Sequence, residues 1–406
     1  MSDTPWACDD FWVGPLNYSD EVRDSLDLPE RVEIHDVTLR DGEQTPGVVF
    51  RIEEKIEIAR ALDDLGVDRI EGGMPAVSAD DAKAIEEMAQ LGMRAKLMTF
   101  CRATPADIDL SLRCGADGVV IEIPCSLPKL KYQFPKWSEE DVIERSVETI
   151  AHAKAAGLHT VYFPYDTTRA DLGFLDRLLG EVMDRGNPDS VGVVDTTGCL
   201  LPRAMEVLVR RVRDRTGIPV EVHTHNDLGM GIATTLSAVG AGAKVAHVSV
   251  NALGERSGNA SLDEVVVSLR TLYGISTNVN FEKLEKVSGL VQRLSGYPLA
   301  PGKALTGLNT FTRESGIGID MLYERPLAMF SIAPKFVGNR PRVVLGKKSG
   351  ATSIRVKLEE SGLKLEDEEK VQAALAEIKR RSIERKALID DEEFREIIQS
   401  VQDQNV

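Results

Sequence analysis

The chain has 406 residues, of which 42% are hydrophobic and 28% charged, a balance typical of a globular protein with a sizeable core. Its formal net charge of −16 disfavours contact with phosphate backbones, so nucleic acid is not an expected partner and an anionic substrate needs local cations. No apolar run reaches the roughly 20 residues that span a bilayer. The acidic start does not resemble a signal peptide, and the five cysteines form no CxxC pair. We therefore expect a cytoplasmic protein without a membrane segment, a disulfide framework or a thiolate metal site.

Between residues 31 and 280, short apolar runs rich in β-branched residues alternate with amphipathic stretches. Several of the amphipathic stretches open on Ser or Thr and close on Gly, as helices do. The strand candidates, in chain order, are RVEIHDV, DRIEGG, AKLMTF, DGVVIEIP, TVYFPYD, SVGVVD, VEVHTHN and AHVSVNAL. Eight strand–helix units of this size predict an α/β fold of the (β/α)8 TIM-barrel type. A doubly wound sheet is the alternative, but no GxGxxG follows the first strand.

The predicted barrel occupies only part of the chain. Residues 1–30 form an N-terminal extension, and residues 31–280 form the barrel. The stretch 281–340 is rich in Gly, Pro, Ser and Thr, which indicates a linker or an ordered cover. Residues 341–406 are charged and helical, which predicts a small helical C-terminal domain.

Polar residues gather where the predicted strands end. In TIM barrels the active site forms at the carboxyl ends of the strands. More polar groups lie at this level than a barrel needs for its structure. They are Arg40, Asp41, Glu122, Asp166, Asp195, Thr196, His223, His225 and the stretch 251–259.

His223 and His225 are two residues apart on one strand, so their side chains leave the same face and can share a metal ion. A carboxylate from Asp41 and an amide oxygen from Asn259 complete a mixed nitrogen and oxygen site for a divalent ion. Arg40 is then placed to polarise a carbonyl or to stabilise an enolate oxygen. For the histidine pair, the alternative to a metal site is that one histidine lies in the core and the other on the surface. For Asp41, the alternative is that it caps a helix.

Two stretches resemble the signature motifs of one enzyme family. LRDGEQTPGVVFRIEEK at 39–55 and VEVHTHNDLGMGIA at 220–233 are similar to motifs of the isopropylmalate, homocitrate and citramalate synthases. DTTG, GERSGNASLDEVV and LGKKSG follow the family order, and the resemblance runs from residue 31 to the C-terminus. It implies a metal-dependent barrel enzyme that condenses acetyl-CoA or another acyl-CoA with a small 2-oxo acid and releases CoA.

The resemblance also implies roles for individual residues. One divalent ion, Zn2+, Mn2+ or Mg2+, would be held by four side chains: Asp41, His223, His225 and Asn259. Arg40 and Glu43 would be catalytic, whereas Gln44 and Thr196 would contact the substrate. The family further implies a homodimer in which the C-terminal region of one chain covers the barrel mouth of the other. The chain is too short for the leucine-sensing regulatory domain of larger members, so such feedback is not expected.

Several positions depart from the family pattern. Gly318 replaces a histidine and Met329 a tyrosine of the C-terminal region, a pair thought to take part in proton transfer. Lys348 also replaces a histidine. In the barrel, Lys129 stands at the histidine of SxxH and Tyr165 at the glutamate of PED. An intact metal motif with altered surroundings indicates a changed oxo acid or reaction.

Four residues carry the predicted adaptation. Lys129, Lys131 and Arg169 can bind a second anionic group of the substrate, although all three can also be solvated loop cations. Tyr165 is a candidate for proton transfer, because a phenol near a dication loses its proton more easily. The alternative is that the Tyr165 side chain only fills space and has no part in proton transfer.

Three functional hypotheses follow. The leading one is a Claisen-type condensation of an acyl-CoA with a non-standard 2-oxo acid. The second is a metal-dependent carbon–carbon lyase of the hydroxymethylglutaryl-CoA lyase type. The third, a non-catalytic metal-binding relative, is disfavoured because Arg40 and Glu43 persist beside the ligands.

Overall fold

A computed structural model describes residues 4–403, and its centre is a closed barrel of eight parallel strands. The predicted (β/α)8 barrel is therefore confirmed, with a strand at each of the eight candidate runs. The strands are β1 Glu33–Asp36, β2 Arg69–Glu71, β3 Lys96–Arg102, β4 Gly118–Pro124, β5 His159–Tyr165, β6 Ser190–Asp195, β7 Val220–Thr224 and β8 Val245–Val248.

Helices alternate with the strands around the barrel and continue beyond it. They are α1 Asp20–Arg23, α2 Ile52–Leu65, α3 Ala79–Ala89, α4 Pro105–Arg113, α5 Glu139–Ala155, α6 Leu172–Arg185, α7 Pro202–Thr216, α8 Gly231–Gly240, α9 Leu262–Ser268, α10 Leu284–Ser295, α11 Ile319–Glu324, α12 Ala351–Glu360, α13 Glu368–Arg385 and α14 Asp391–Asp403. A two-stranded sheet pairs β9 Thr312–Arg313 with β10 Arg342–Val343. No helix in residues 4–403 has the length and apolar character needed to cross a membrane.

The helix boundaries follow the capping signals of the sequence. Ser138 caps α5 by accepting a hydrogen bond from the backbone N–H of Asp141, whose carboxylate accepts from the Ser138 N–H in return. Ser78 caps α3 by accepting from the backbone N–H of Asp81, and its hydroxyl donates to the Asp81 carboxylate. These reciprocal bonds satisfy backbone donors that a helix start otherwise leaves unpaired.

The barrel interior contains an apolar layer and a buried network of charges. The apolar layer consists of Met98, Phe100, Val120, Val161, Phe163 and Val194. In the charged network, Arg69 donates to Glu221 at 2.6 Å, and His247 contacts the other Glu221 oxygen at 2.7 Å. His247 stacks on His35, with ring centroids 4.1 Å apart. The two histidines are therefore structural parts of the barrel.

The chain divides into two compact units, and their limits differ from the predicted boundaries. The barrel unit comprises Pro15–Leu299, and the C-terminal unit comprises Ala300–Val406 together with the described part of Met1–Gly14. Half of the predicted N-terminal extension thus belongs to the barrel. There, Arg23 donates to the carbonyl oxygens of Leu272 and Tyr273.

The predicted linker also contains a barrel helix. Ser288 of α10 exchanges hydrogen bonds with the side chain of Asn251, which lies just after β8. This tie explains why the barrel unit extends past residue 280.

The C-terminal unit has its own apolar core between α12, α13 and α14. Its largest contributors are Leu345, Ile354, Ile378, Phe394, Ile397 and Ile398. Gly318 and Met329, the two positions that depart from the family pattern, lie against each other. A Cβ atom at Gly318 would come within 3.0 Å of the Met329 sulfur. A side chain at residue 318 therefore cannot be accommodated while Met329 keeps this position.

The charged network predicts a large cost for removing one of its cations. Arg69→Met leaves Glu221 buried and without its guanidinium, so we expect a loss of about 3–5 kcal/mol in the free energy of unfolding. Arg177→Met is the matched control, because Arg177 pairs with Glu139 and Glu140 on the surface. Its expected loss is about 0–1 kcal/mol. Urea unfolding measures both, and equal losses would contradict the structural role of the network.

Candidate metal centre and catalytic cavity

Arg40 and Asp41 follow β1 in a short turn at the carboxyl end of the barrel. The guanidinium of Arg40 donates through Nη1 to Asp41 Oδ2 at 2.7 Å and through Nε to Glu71 Oε1. It also lies over the ring of Phe100, 4.0 Å from the centroid. Its Nη2 is buried and has no hydrogen-bond partner in residues 4–403. One donor of this fixed cation is thus available to a ligand.

The charges around Arg40 keep both neighbouring carboxylates ionised. Burial alone would raise the pKa of Glu71, but Arg40 and His35 outweigh it and bring that pKa to about 2. Burial likewise opposes the ionisation of Asp41, and Arg40 and His223 together hold its pKa well below the usual value. Asp41 therefore presents a full negative charge at neutral pH.

His223 and His225 extend from β7 towards Asp41, as the spacing predicted. Their Nε2 atoms are 3.3 Å apart, and each lies within 4 Å of Asp41 Oδ2, at 3.5 and 3.8 Å. Burial lowers the pKa of both histidines, to about 4 for His225. Both imidazoles are thus neutral at pH 7, the form that binds a metal.

Asn259 reaches the same point from the loop after β8. Its Nδ2 donates to Asp41 Oδ1 at 3.0 Å and to the carbonyl of Leu253 at 2.9 Å. Two glycines allow this approach. A Cβ at Gly254 would lie 2.3 Å from Asn259 Nδ2, and one at Gly258, whose φ is +82°, would overlap the carbonyl of Ala252.

These four side chains suit a divalent cation. Asn259 Oδ1 is buried and accepts no hydrogen bond in the described part of the chain. An orphaned buried oxygen needs a partner, and a cation provides one. Two neutral imidazoles, one carboxylate and one amide oxygen form a mixed donor set that suits Zn2+, Mn2+ or Mg2+ and does not select among them.

A cavity of about 660 Å³ opens above this cluster. Its volume is in the usual range for small-molecule sites, roughly 300–1,000 Å³. The predicted site residues that line it are Arg40, Asp41, Gln44, Lys129, Tyr165, Thr196, His223 and His225. Thr196 Oγ1 accepts from the backbone N–H of Asp166 at 2.8 Å, so its own proton can be donated into the cavity.

One wall of the cavity comes from the loop between β4 and α5. Phe134 and Trp137 pack together there with centroids 4.6 Å apart, and Arg145 lies over the Trp137 ring. Neither Arg145 nor Lys129 forms an ion pair with a carboxylate in residues 4–403. Two cations at the wall are therefore available to an anionic ligand.

The surroundings of Tyr165 differ from those the sequence predicted. Burial raises the pKa of its phenol, and the charge of Glu122 adds to the increase. Lys129 Nζ lies 5.5 Å from the ring centroid, over its face. In these surroundings the phenol is protonated at neutral pH and can donate a hydrogen bond.

Two predicted residues are not brought to the cavity. Glu43 accepts from the backbone N–H of Phe50 at 2.8 Å and pairs with the buried Lys55 at 2.6 Å. Arg169 makes a paired hydrogen bond with Asp166 at 2.8 and 2.6 Å. Both therefore stabilise loops beside the site. Their charges are already used by neighbours that the sequence pattern does not reveal.

Two further carboxylates of the site were left out of the predicted catalytic set. Glu71 ends β2 and holds Arg40. Glu122 lies on β4 and lines the cavity. Glu122 was recognised as a strand-end residue, and the alternation along β4, which turns it inward with Val120, was the signal that could have selected it.

Comparisons with known proteins agree with this geometry. Residues 31–291 match the model of the family described as HMGL-like, and residues 305–386 match the one described as homocitrate synthase post-HMGL domain-like. The chain belongs to the HMGL-like family.

Relatives within the family are named as synthases. A homocitrate synthase of Methanopyrus kandleri is 40% identical over 95% of this chain and 96% of its own length. An (R)-citramalate synthase of Methanocaldococcus jannaschii is 43% identical over 83% of this chain and 68% of its own. The crystal structure of HMG-CoA lyase from Brucella melitensis, at 20% identity, covers 66% of this chain and 100% of the lyase with a TM-score of 0.59. That likeness shows the barrel fold alone.

The paired histidines provide the direct test of the metal centre. We expect the double variant His223→Ala, His225→Ala to lose most of its bound divalent metal, because two of the four donors are removed. His152→Ala is the control, since that imidazole pairs with Asp109 on the surface. Elemental analysis after purification and metal return measures the content. An unchanged metal-to-protein ratio in the double variant would rule out this site.

Proposed function

We propose that this enzyme condenses an acyl-CoA, acetyl-CoA in the simplest case, with a 2-oxo acid and hydrolyses the thioester to release CoA. The observation that carries the proposal is the donor arrangement at the cavity floor. Arg40 Nη2 is a buried unpaired donor beside four side chains suited to a divalent ion. The synthase names of relatives at about 40% identity support the same reaction.

The residues of the cavity have separable tasks in this reaction. Asp41, His223, His225 and Asn259 would hold a divalent ion, which would supply positive charge to polarise the ketone. Arg40 donates to the oxo group and stabilises the negative charge that develops on its oxygen. Thr196, with its free hydroxyl proton, holds the carboxylate, and Gln44 lines the same space.

The wall cations support an oxo acid with a second anionic group. Lys129 and Arg145 line the cavity together with Tyr165, and in residues 4–403 neither is neutralised by a carboxylate. We propose that Lys129 contacts that group and that Tyr165 donates a hydrogen bond beside it. The missing histidine and tyrosine at Gly318 and Met329 add to the case for an oxo acid other than 2-oxoisovalerate, 2-oxoglutarate or pyruvate.

Thiol release distinguishes the condensing activity from the lyase hypothesis. We expect acetyl-CoA to yield free thiol only when a 2-oxo acid is added, slowly with the three standard acids and faster with one whose second anionic group reaches Lys129. Lys129→Ala is expected to raise the KM for that acid roughly 10- to 100-fold, the loss of one charged hydrogen bond. Lys131→Ala, an exposed neighbour, is the control.

The outcomes of this assay are clear-cut. Rapid turnover of a standard oxo acid that neither Lys129→Ala nor Tyr165→Phe disturbs would reject the proposed specificity. Cleavage of a 3-hydroxyacyl-CoA without any condensation would favour the lyase.

We also propose that the enzyme is a cytoplasmic homodimer, as the family resemblance implies. Light scattering at micromolar concentration is expected to give about twice the chain mass of 44.5 kDa. A monomer under these conditions would refute the dimer.

A further inference from the structure

Glu122 faces the cavity from the middle of its wall. In the strand register it lies beside Arg102 of β3 and Phe163 of β5. Paired residues of neighbouring strands share a face, and Phe163 belongs to the apolar layer of the barrel interior. The Glu122 carboxylate therefore lies above that layer, in the cavity that Arg40 and His223 also line.

The Glu122 carboxylate differs from the other acidic groups of the barrel interior. Glu71 is held by Arg40 and His35, and Glu221 by Arg69 and His247. Within residues 4–403, Glu122 takes part in no hydrogen bond or ion pair of its side chain. Glu122 is partly buried, and a partly desolvated carboxylate without a partner is costly. A free-energy cost of this kind is typical of a residue with a catalytic role.

The charged groups that face Glu122 come from β2 and β3 and from the segments that follow β1 and β4. Burial is the largest effect and raises its pKa to about 7, with Glu71 adding to the increase. Arg40, Arg102 and Lys129 act in the opposite direction. A carboxyl group with a pKa near 7 is half ionised at neutral pH, which suits a general base.

The neighbouring strand lacks the acid that the family usually has there. Tyr165 stands at the glutamate position of the PED motif, and its register partner on β4 is Pro124. Glu122, two residues before Pro124, faces the same cavity. The carboxylate is thus placed on β4 instead of β5.

We propose that Glu122 is the base that removes the proton from the carbon next to the thioester carbonyl of the acyl-CoA. This assignment rests on the proposed condensation. It replaces Tyr165 as the proton acceptor and explains how the reaction proceeds without a histidine at residue 318 or a tyrosine at residue 329.

The step balances without a further reagent. The carboxylate oxygen of Glu122 takes the proton, and the C–H electron pair forms the enolate. The enolate carbon attacks the ketone carbon of the oxo acid, and the ketone π pair becomes an alkoxide, to which protonated Glu122 returns the proton. Water then cleaves the thioester to give a carboxylic acid and the CoA thiol.

Steady-state kinetics with the best oxo acid of the thiol-release panel test this role. Glu122→Gln is expected to lower kcat by about 10²–10⁴-fold, the usual contribution of a general base, and Glu122→Asp to retain part of it. In the wild type kcat is expected to rise with pH through about 7, as Glu122 ionises. In Glu122→Gln this rise of kcat with pH should be absent. Glu86→Gln, on the exposed side of α3, is the control and should leave kcat and its pH dependence unchanged.

Two readouts do not depend on turnover. The infrared difference spectrum between metal-loaded wild type and Glu122→Gln should show a carboxyl band that titrates near pH 7. Because the folded-state pKa is raised, ionised Glu122 destabilises the fold as pH rises. Glu122→Gln should therefore raise the Tm more at pH 8 than at pH 5, whereas loss of a structural carboxylate would lower it.

The results separate the two levels of the proposal. If the wild type releases no thiol with any oxo acid, the condensation fails and the Glu122 assignment fails with it. If the wild type turns over and Glu122→Gln stays within about threefold of it, only the Glu122 assignment is overturned. A carboxyl band that titrates near 4.5, the ordinary value, also overturns it.

Discussion

The ion pairs of Arg40 are the interaction on which the rest of the site depends. The guanidinium is 7% exposed and lies between Asp41 and Glu71, whose side chains are 3% and 0% exposed. Removing water from three charges is costly unless each is paired with good geometry. The pairing fixes Asp41 for the histidines and leaves one Arg40 donor for a ligand. It continues into the barrel through a chain of buried groups, His35, His247, Glu221 and Arg69.

The chain is acidic overall, but its cavity is lined by several cations. The net charge of −16 repels anions at long range, so a 2-oxo acid and a CoA thioester must be held by local groups. Arg40 at the floor and Lys129 and Arg145 at the wall supply that charge. Glu122 among them is an acid whose ionisation these cations favour and burial opposes. This balance permits a carboxyl group to exchange protons at neutral pH.

Much of this could be predicted from the sequence, because it depends on spacing. The alternation of strands and helices predicted the barrel, and the spacing of His223 and His225 placed both side chains on one face. Partners distant in sequence could not be predicted. Glu43 looked catalytic within its motif, yet Lys55 on the next helix pairs with it. Glu122 looked like one strand-end acid among several, since its lack of a partner is visible only in three dimensions.

The central claim is that this cavity forms a carbon–carbon bond between the two substrates. Carbon-13 NMR of the products from acetyl-CoA labelled at its methyl carbon tests it most directly. The account predicts that the label becomes a methylene carbon bonded to a hydroxyl-bearing tertiary carbon of a new 2-hydroxy acid with at least two carboxylates. Label recovered only as acetate, with the 2-oxo acid unchanged, would contradict it, because the cavity would then hydrolyse the thioester without joining the substrates.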